Sequence, residues 1–150
     1  MKRIIIYIAL LAAALAFPGE RTDVGKLKPV GLVQLYKEDD MIVIVTDTGD
    51  SGVGKTAQSA FENLEATTSG IIFLDTADYL LLSVSAIDEA EGLEMYLKPS
   101  VRVCFAQKDV DPMAAAEYLE VHRPAVQLRD RESLANAETL LQENGRLIMR

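Results

Sequence analysis

Short apolar runs alternate with helical patterns along residues 30–150, and this alternation limits the fold more than any other feature. Residues 31–36 and 41–46 are apolar segments that flank four polar residues, a spacing that predicts an antiparallel hairpin. The second segment, MIVIV, is apolar on both faces and is expected to be a central strand. Strands alternating with helices after a hairpin predict an α/β (α+β) fold, a mixed sheet with three to four helices packed on it.

Several helices and strands are predicted from apolar spacing and from capping residues. Apolar residues at i, i+3, i+4 and i+7 predict an amphipathic helix that ends near residue 67: Ala57, Ala60, Phe61 and Leu64. Further helices are predicted at about 85–97, at 112–119 behind an Asp-Pro pair, and at 133–143, where Asn144-Gly145 would end the last one. Strands are predicted at 101–106, near 125–128, and at 71–82 as one strand with a bulge.

The N-terminus has the three parts of a secretory signal. Lys2 and Arg3 precede an unbroken apolar run at residues 4–17, and small residues, Ala14 and Ala16, lie near its end. The run is shorter than the roughly 20 residues that a membrane-spanning helix needs. We expect a signal peptide at 1–16, with an uncleaved anchor or a buried core helix as the alternatives. The protein is thus expected to be extracytoplasmic, either secreted or held at the cytoplasmic membrane by this segment alone.

The rest of the chain is expected to form one unit. Residues 17–29 are rich in glycine, proline and charge, as in a tether, and residues 30–150 suit a single mixed α/β domain. The formal net charge of −8 makes the surface acidic, so a nucleic-acid partner is not expected. The single cysteine, Cys104, lies in a strand-like alternation that predicts a small buried residue, and His122 stands alone. No catalytic residue and no cofactor is predicted from these patterns, and the oligomeric state is left open.

One motif suggests an enzyme. Residues 49–56, GDSGVGKT, fit the phosphate-binding loop G-x-x-x-x-G-K-[ST]. In that hypothesis Gly49 and Gly54 would let backbone amides cradle phosphates, Lys55 would reach the β and γ oxygens, and Thr56 would hold magnesium. Asp75, at the end of an apolar run, would be the second magnesium-binding carboxylate.

Four observations argue against a nucleotide site. An exported domain meets little ATP or GTP, and the strand before the loop is tied to an antiparallel neighbour rather than placed inside a parallel sheet. Asp47 and Asp50 add negative charge where a triphosphate would lie, and Gln107-Lys108-Asp109 does not match the guanine-reading pattern. The preferred interpretation is a glycine-rich turn between a strand and a helix.

Acidic loops suggest a second, weaker hypothesis. If both loops gather at one edge of the sheet, carboxylates could bind calcium or another cationic ligand: Asp47, Asp50, Asp75 and Asp78. A solvated acidic rim is the simpler interpretation of the same residues.

The order of segments over most of residues 30–121 resembles the N-terminal domain of the bacterial spore germination receptor C-subunit family, Ger(x)C. The likeness lies in GVGKTAQSAFENL, IIFLDTADYLLLS and RVCFAQKDVDPMAAAEYL. It implies an extracytoplasmic, non-enzymatic protein on the membrane of a spore-forming bacterium, in which Gly52, Gly54 and Thr56 are structural residues of a turn. Members of that family are lipoproteins several times longer, whereas the only cysteine here is Cys104.

These observations predict an exported structural or interaction domain without chemistry of its own, associated with spore germination or sporulation. Its expected partner is another protein at the membrane surface. A phosphate-loop nucleotide-binding protein and a cation binder are the alternatives.

Overall fold

The structure, a computed structural model, describes residues 24–150. Its strands are β1 (Leu27–Pro29), β2 (Leu32–Glu38), β3 (Met41–Thr46), β4 (Ser51–Gly54), β5 (Ile71–Phe73), β6 (Tyr79–Leu82), β7 (Arg102–Ala106), β8 (Thr139–Glu143) and β9 (Arg146–Met149). The α-helices of this part of the chain are α1 (Ala57–Thr67), α2 (Ala90–Leu93) and α3 (Pro112–Val121). Short 3₁₀ segments cover Val24–Lys26, Leu74–Thr76, Val84–Glu89 and Arg131–Asn136.

The main sheet has seven strands in the order β4-β3-β2-β6-β7-β8-β9. Strands β2, β6, β7 and β8 run parallel to one another, while β3, β4 and β9 are antiparallel to their neighbours. Strands β1 and β5 form a separate, two-stranded parallel sheet. The predicted mixed α/β architecture is therefore confirmed.

Apolar side chains on the two faces of the sheet form two cores. Alternate residues of each inner strand point to opposite faces, so that Leu80 and Leu82 join one cluster while Leu81 joins the other. The first cluster lies under α1, α2 and the segment Val84–Glu89. The second cluster lies under α3 and includes Cys104, which is buried as the sequence predicted. Helices thus cover both faces of the sheet.

The opening hairpin is confirmed. Strands β2 and β3 are joined by Asp39 and Asp40, whose φ angles of 47° and 61° match the turn that suits the twist of a hairpin. Strand β3, however, lies second from the edge of the sheet, and the middle position belongs to β6, which is buried along its whole length.

Two predicted helices are confirmed, one from its apolar spacing and one from its Asp-Pro start. Helix α1 spans Ala57–Thr67 and buries the four apolar residues that the spacing selected. Thr56 caps it, because its hydroxyl accepts from the Ser59 amide at 3.2 Å and its own amide donates to the Ser59 hydroxyl at 3.0 Å. Asp111 caps α3, and Pro112 occupies the first turn.

The predicted bulged strand at 71–82 is wrong. Residues 71–73 pair with β1 in the small sheet, and residues 79–82 pair with β2 and β7 in the main sheet. The 3₁₀ segment Leu74–Thr76 carries the chain from one sheet to the other, where the Thr76 hydroxyl bonds to Val30. The polar residues between the two apolar runs are therefore a connection between sheets.

Three further predictions are corrected. The helix expected at about 85–97 is a 3₁₀ segment followed by the four-residue helix α2, in which Gly92 weakens the α-helix. Near 125–128 there is an isolated bridge from Gln127 to Arg102 instead of a strand. The helix expected at 133–143 is a short 3₁₀ segment and strand β8, because Asn144 and Gly145, with φ of 50° and 75°, form a hairpin turn into β9.

The N-terminal predictions fall mostly outside this region. The predicted signal at 1–16 lies outside the described residues. Strand β1 and the preceding 3₁₀ turn lie within the predicted tether at 17–29, so the packed fold begins before Val30. Within residues 24–150, no helix is both long and apolar enough to span a membrane.

Candidate functional site

The segment that resembles a phosphate loop is mostly an extended strand. Residues 51–54 form β4, which pairs antiparallel with β3 in the register Gly52 to Ile44 and Gly54 to Ile42. The Thr46 amide donates to the Asp50 carbonyl, and the alternation of an antiparallel ladder then places the Gly52 and Gly54 amides against β3. The Gly52 and Gly54 amides therefore take part in the pairing of β4 with β3.

Both glycines of β4 allow helix α1 to lie against the strand. A methyl group at Gly52 would lie 2.5 Å from the backbone nitrogen of Leu64, and one at Gly54 would lie 2.5 Å from the carbonyl carbon of Ser59. Neither glycine needs a positive φ, whereas Gly49, in the turn before β4, has a φ of 84°. Close packing of a strand on a helix therefore accounts for the Gly-x-Gly spacing.

The other residues of the nucleotide hypothesis lie apart from one another in the fold. The Thr56 hydroxyl is engaged in capping α1, and Lys55 is exposed beside it. Asp75 is exposed in the 3₁₀ segment that follows β5. Since β5 pairs with β1 in the small sheet, Asp75 does not follow a strand adjacent to β3.

The four aspartates of the cation hypothesis have separate partners or stand alone. Asp47 accepts from the Gly31 amide at 3.0 Å, Asp50 is ion-paired with Lys28 at 3.2 Å, and Asp78 is ion-paired with Lys98 at 2.6 Å. Burial acts to raise the pKa of Asp50, but hydrogen bonds from Thr48 and Lys28 outweigh it and hold that pKa below its ordinary value. Within residues 24–150, no group of three or more His, Cys, Asp or Glu side chains is arranged to hold a metal ion.

A pocket of about 630 Å³ opens where the parallel strands β2, β6 and β7 end. The residues that line it come from the carboxyl ends of these strands, from the segments that follow them, and from β8. They are Tyr36, Lys37, Ser83, Val84, Ser85, Phe105, Ala106, Gln107, Lys108, Asp109, Thr139 and Leu141.

The chain segments that follow β6 and β7 run toward opposite faces of the sheet. After β6 the chain packs Ala86 and Ala90 into the first core, whereas after β7 it packs Val110 and Ala115 into the second. Such a divergence opens a crevice between the two strand ends, which is where open α/β sheets bind ligands. The pocket is therefore the best candidate site that the fold provides.

The polar groups of the pocket are mostly hydrogen-bond donors. Lys37 is ion-paired with Glu89 at 3.6 Å, and Lys108 is ion-paired with Glu38. Burial raises the pKa of Tyr36, so its hydroxyl keeps its proton at neutral pH. The ion pair with Glu38 likewise raises the pKa of Lys108.

Gln34 supports the wall of the pocket from below. It is one of the few buried polar residues, with 3% of its surface exposed, and its amide nitrogen donates to the Gln107 carbonyl at 3.0 Å. This bond ties the end of β7 to β2. The residues of this pocket were not predicted as a site, although the polar residues directly after the apolar runs YLLL and RVCFA are the signal that could have suggested them.

The two edges of the main sheet differ in how they are covered. On β4, the Val53 amide donates to the Asn63 side chain at 3.0 Å, and the Thr67 hydroxyl lies 3.1 Å from the Ser51 carbonyl oxygen. Helix α1 thus covers this edge with polar side chains.

At the opposite edge, β9 has no neighbouring strand on its outer side within residues 24–150. Thr139 and Arg150 exchange two backbone hydrogen bonds, so the ladder alternation directs the amide and carbonyl of Leu147 away from β8. The next outward amide, that of Met149, donates to the Tyr118 hydroxyl at 3.3 Å.

Cys104 is buried in the second core, and the His122 ring packs against a neighbouring aromatic ring. Burial raises the pKa of the Cys104 thiol to about 12, which keeps it protonated and unreactive. His122 stacks on Tyr118 with ring centroids 4.4 Å apart at the end of α3.

Comparisons with protein-family models, with curated proteins and with solved structures found no match to this chain. Within residues 24–150, the fold and the site together describe a mixed α/β domain with a pocket at the carboxyl edge of its parallel strands and with β9 as an edge strand.

Proposed function

We propose that this chain is an exported, non-enzymatic domain that binds a protein partner outside the cytoplasmic membrane of a spore-forming bacterium. The observation that carries the proposal is the difference between the two edges of the main sheet. Edge strand β4 is covered by Asn63 and Thr67, whereas β9 directs the Leu147 amide and carbonyl away from the sheet. An edge of that kind is a template for an extended segment of another chain.

The sequence of β9 favours an acidic partner segment. Arg146 and Arg150 are exposed and flank the apolar residues 147–149, which are half-buried. An extended segment that pairs with β9 would place its own end residues near these guanidinium groups. Carboxylates at those positions would be attracted, and lysines would be repelled.

Export and the spore context are supported by the sequence. Residues 1–16 have the basic, apolar and small-residue parts of a signal peptide. The germination or sporulation role rests on the resemblance to the Ger(x)C N-terminal domain, which also implies a non-enzymatic protein at the membrane.

Nucleotide binding is the weaker alternative. A phosphate loop needs several backbone amides that point together at the ligand. Here the Val53 amide is bonded to Asn63, and the Gly52 and Gly54 amides face β3. Cation binding is weaker for a similar reason, because Asp47, Asp50 and Asp78 have partners of their own.

Two extended peptides test the proposal. The purified full-length protein is titrated with fluorescein-labelled EVTVTVE and with its basic counterpart KVTVTVK, and binding is followed by fluorescence anisotropy. We expect the acidic peptide to bind more tightly. The double substitution Arg146→Gln with Arg150→Gln should reduce its affinity by about fivefold, and Arg129→Gln, at an exposed arginine bonded through its backbone to Pro99, should leave it unchanged.

A proline substitution in β9 provides a second, independent test of peptide binding. Leu147→Pro removes an amide that does not bond to β8, so it should abolish peptide binding while the far-UV circular dichroism spectrum is kept. Equal binding of both peptides, or no binding of either, would contradict the proposal. So would a folded Leu147→Pro variant that binds as the wild type does.

A further inference from the structure

The pocket at the carboxyl edge is a second site, built independently of the β9 edge. Its walls come from three parallel strands and their connections, and the nearest part of the β8–β9 hairpin contributes only Thr139 and Leu141. A protein partner that pairs with β9 would leave the lining residues on β2 and those that follow β6 and β7 free. Binding of a partner at β9 therefore does not account for the pocket.

The position of the pocket indicates a ligand site. The chain leaves β6 toward one face of the sheet and leaves β7 toward the other, so the crevice follows from the strand order and not from the rotamer of one side chain. The Gln34 to Gln107 hydrogen bond holds the two sides of that crevice together. A volume of about 630 Å³ lies within the range of small-molecule pockets, roughly 300–1,000 Å³.

Hydrogen-bond donors outnumber acceptor-only groups in the lining. Lys37 and Lys108 carry positive charge, and Asp109 is the only carboxylate among the lining residues. Hydroxyl groups add further donors that can turn toward a ligand: Tyr36, Ser83, Ser85 and Thr139. A donor-rich wall is complementary to a ligand that carries acceptor oxygens.

The two lysines keep donor capacity for an anion. Each is paired with one glutamate, Lys37 with Glu89 and Lys108 with Glu38, and an ammonium group has three N–H donors. Their partners, Glu89 and Glu38, do not line the pocket, and the Lys37 to Glu89 distance of 3.6 Å is long for an ion pair. Both ammonium groups can therefore bond to a ligand while they stay near their carboxylates.

The remainder of the lining is apolar. The apolar lining residues are Phe105 and Leu141, which point to the face of the first core, Ala106, which points to the other face, and Val84, which is 71% exposed. A flat hydrocarbon or aromatic body would cover Val84 and pack against Phe105, with its charged end at the lysines.

We propose that the carboxyl-edge pocket binds a small organic anion, with a flat apolar body against Phe105 and Leu141 and a carboxylate held by Lys37 and Lys108.

The test uses two ligands of the same shape and different charge. The ¹⁵N-labelled full-length protein is titrated at pH 7 with 2-naphthoate and, separately, with the neutral 2-naphthamide. We expect 2-naphthoate to shift the amide resonances of Val84, Ser85, Gln107 and Lys108, and to bind at least about fivefold more tightly than the amide. Shifts confined to other regions, or equal affinity for the two ligands, would overturn the proposal.

Variants separate the charge from the shape of the pocket. Lys37→Gln with Lys108→Gln should bring the affinity for 2-naphthoate down to that for 2-naphthamide, while Lys26→Gln with Lys55→Gln, which removes the same two positive charges at exposed positions outside the pocket, should not. Ser85→Trp fills the mouth from an exposed position and should weaken both ligands. If the two double variants behave alike, long-range charge explains the binding and the assigned site is wrong.

Discussion

Gly52 shows, at the scale of one residue, how a position inside a phosphate-loop pattern can be required for packing. A methyl group there would lie 2.5 Å from the Leu64 backbone nitrogen and 2.7 Å from its Cβ, in the middle of the contact between β4 and α1. Because a helix backbone cannot yield as a side chain does, Gly52→Ala should force α1 away from the strand. We expect the free energy of unfolding, measured by urea denaturation, to fall by about 2 kcal/mol.

The matched control for this substitution is Gly92→Ala. Gly92 lies in helix α2, and a methyl group built there would meet no atom within 4 Å. Alanine favours a helix over glycine by up to about 1 kcal/mol, so this variant should be as stable as the wild type or more so. A Gly52→Ala protein with unchanged stability would show that β4 and α1 are not in such close contact.

At the same scale, the sequence predicted what depends on neighbouring residues. Asp111 was identified as the start of α3, because a cap and the helix that it begins lie within four residues of each other, whereas the capping role of Thr56 was not predicted. Gln34 could not be identified as a support for the pocket, since its partner Gln107 lies 73 residues away. A residue whose role depends on the strand order needs the fold to reveal it.

The β8–β9 hairpin shows, at the scale of an element, how one dipeptide can support two interpretations. Asn-Gly is favoured after the end of a helix and also in a two-residue hairpin, because both need a positive φ. The short apolar runs 140–141 and 147–149 on either side favour a hairpin, and the expectation of a helix from residue 133 outweighed them.

A turn substitution tests the hairpin. Gly145 has a φ of 75°, so Gly145→Ala should lower the free energy of unfolding by about 1 kcal/mol. Asn144→Gly, at a φ of 50°, should change it by a few tenths of a kcal/mol at most. Since Gln142 and Leu147 are opposite each other, a nuclear Overhauser effect between their Hα protons should also be present in the wild type. Its absence, with helical amide contacts in its place, would contradict the hairpin.

Strand pairing explains why the elements were predicted better than their arrangement. The runs at 71–73 and 79–82 are both apolar and lie close in sequence, yet one joins the small sheet and the other becomes the middle of the main sheet. Their partners, β1 and β7, are set by long-range packing. The pocket has the same origin, because it joins lining residues from Tyr36 to Leu141.

At the scale of the whole molecule, polar contacts join the small sheet to the main one. Lys28 on β1 is ion-paired with Asp50, which precedes β4, at 3.2 Å, and the Thr76 hydroxyl bonds to the Val30 amide and carbonyl. The Asp50 carboxylate also accepts from the Thr48 hydroxyl at 2.8 Å. These contacts place a charged group at the junction between two parts of the fold, so the stability of the molecule should depend on whether Asp50 is ionised.

The direction of that dependence follows from the pKa of Asp50, which burial tends to raise but which the Thr48 and Lys28 bonds hold below its ordinary value of 3.8. A depressed pKa means that ionised Asp50 stabilises the folded chain above pH 3.8, and that this contribution is lost as the pH falls through the lower, folded value. Asp50→Asn should therefore lower the free energy of unfolding by about 0.5–1 kcal/mol at pH 7. The difference from the wild type should shrink below pH 3.8.

A matched carboxylate separates this local effect from the general loss of negative charge. Asp78 is ion-paired with Lys98 but its side chain is 66% exposed, against 14% for Asp50, so Asp78→Asn should change the stability at pH 7 by less than about 0.5 kcal/mol. Urea denaturation of both variants gives the comparison. It is measured between about pH 2.5 and about pH 7, a range that spans the ordinary titration of carboxyl groups. If both variants follow the same curve, the acidic surface as a whole governs the pH dependence, and the Lys28 to Asp50 contact does not hold the two sheets together.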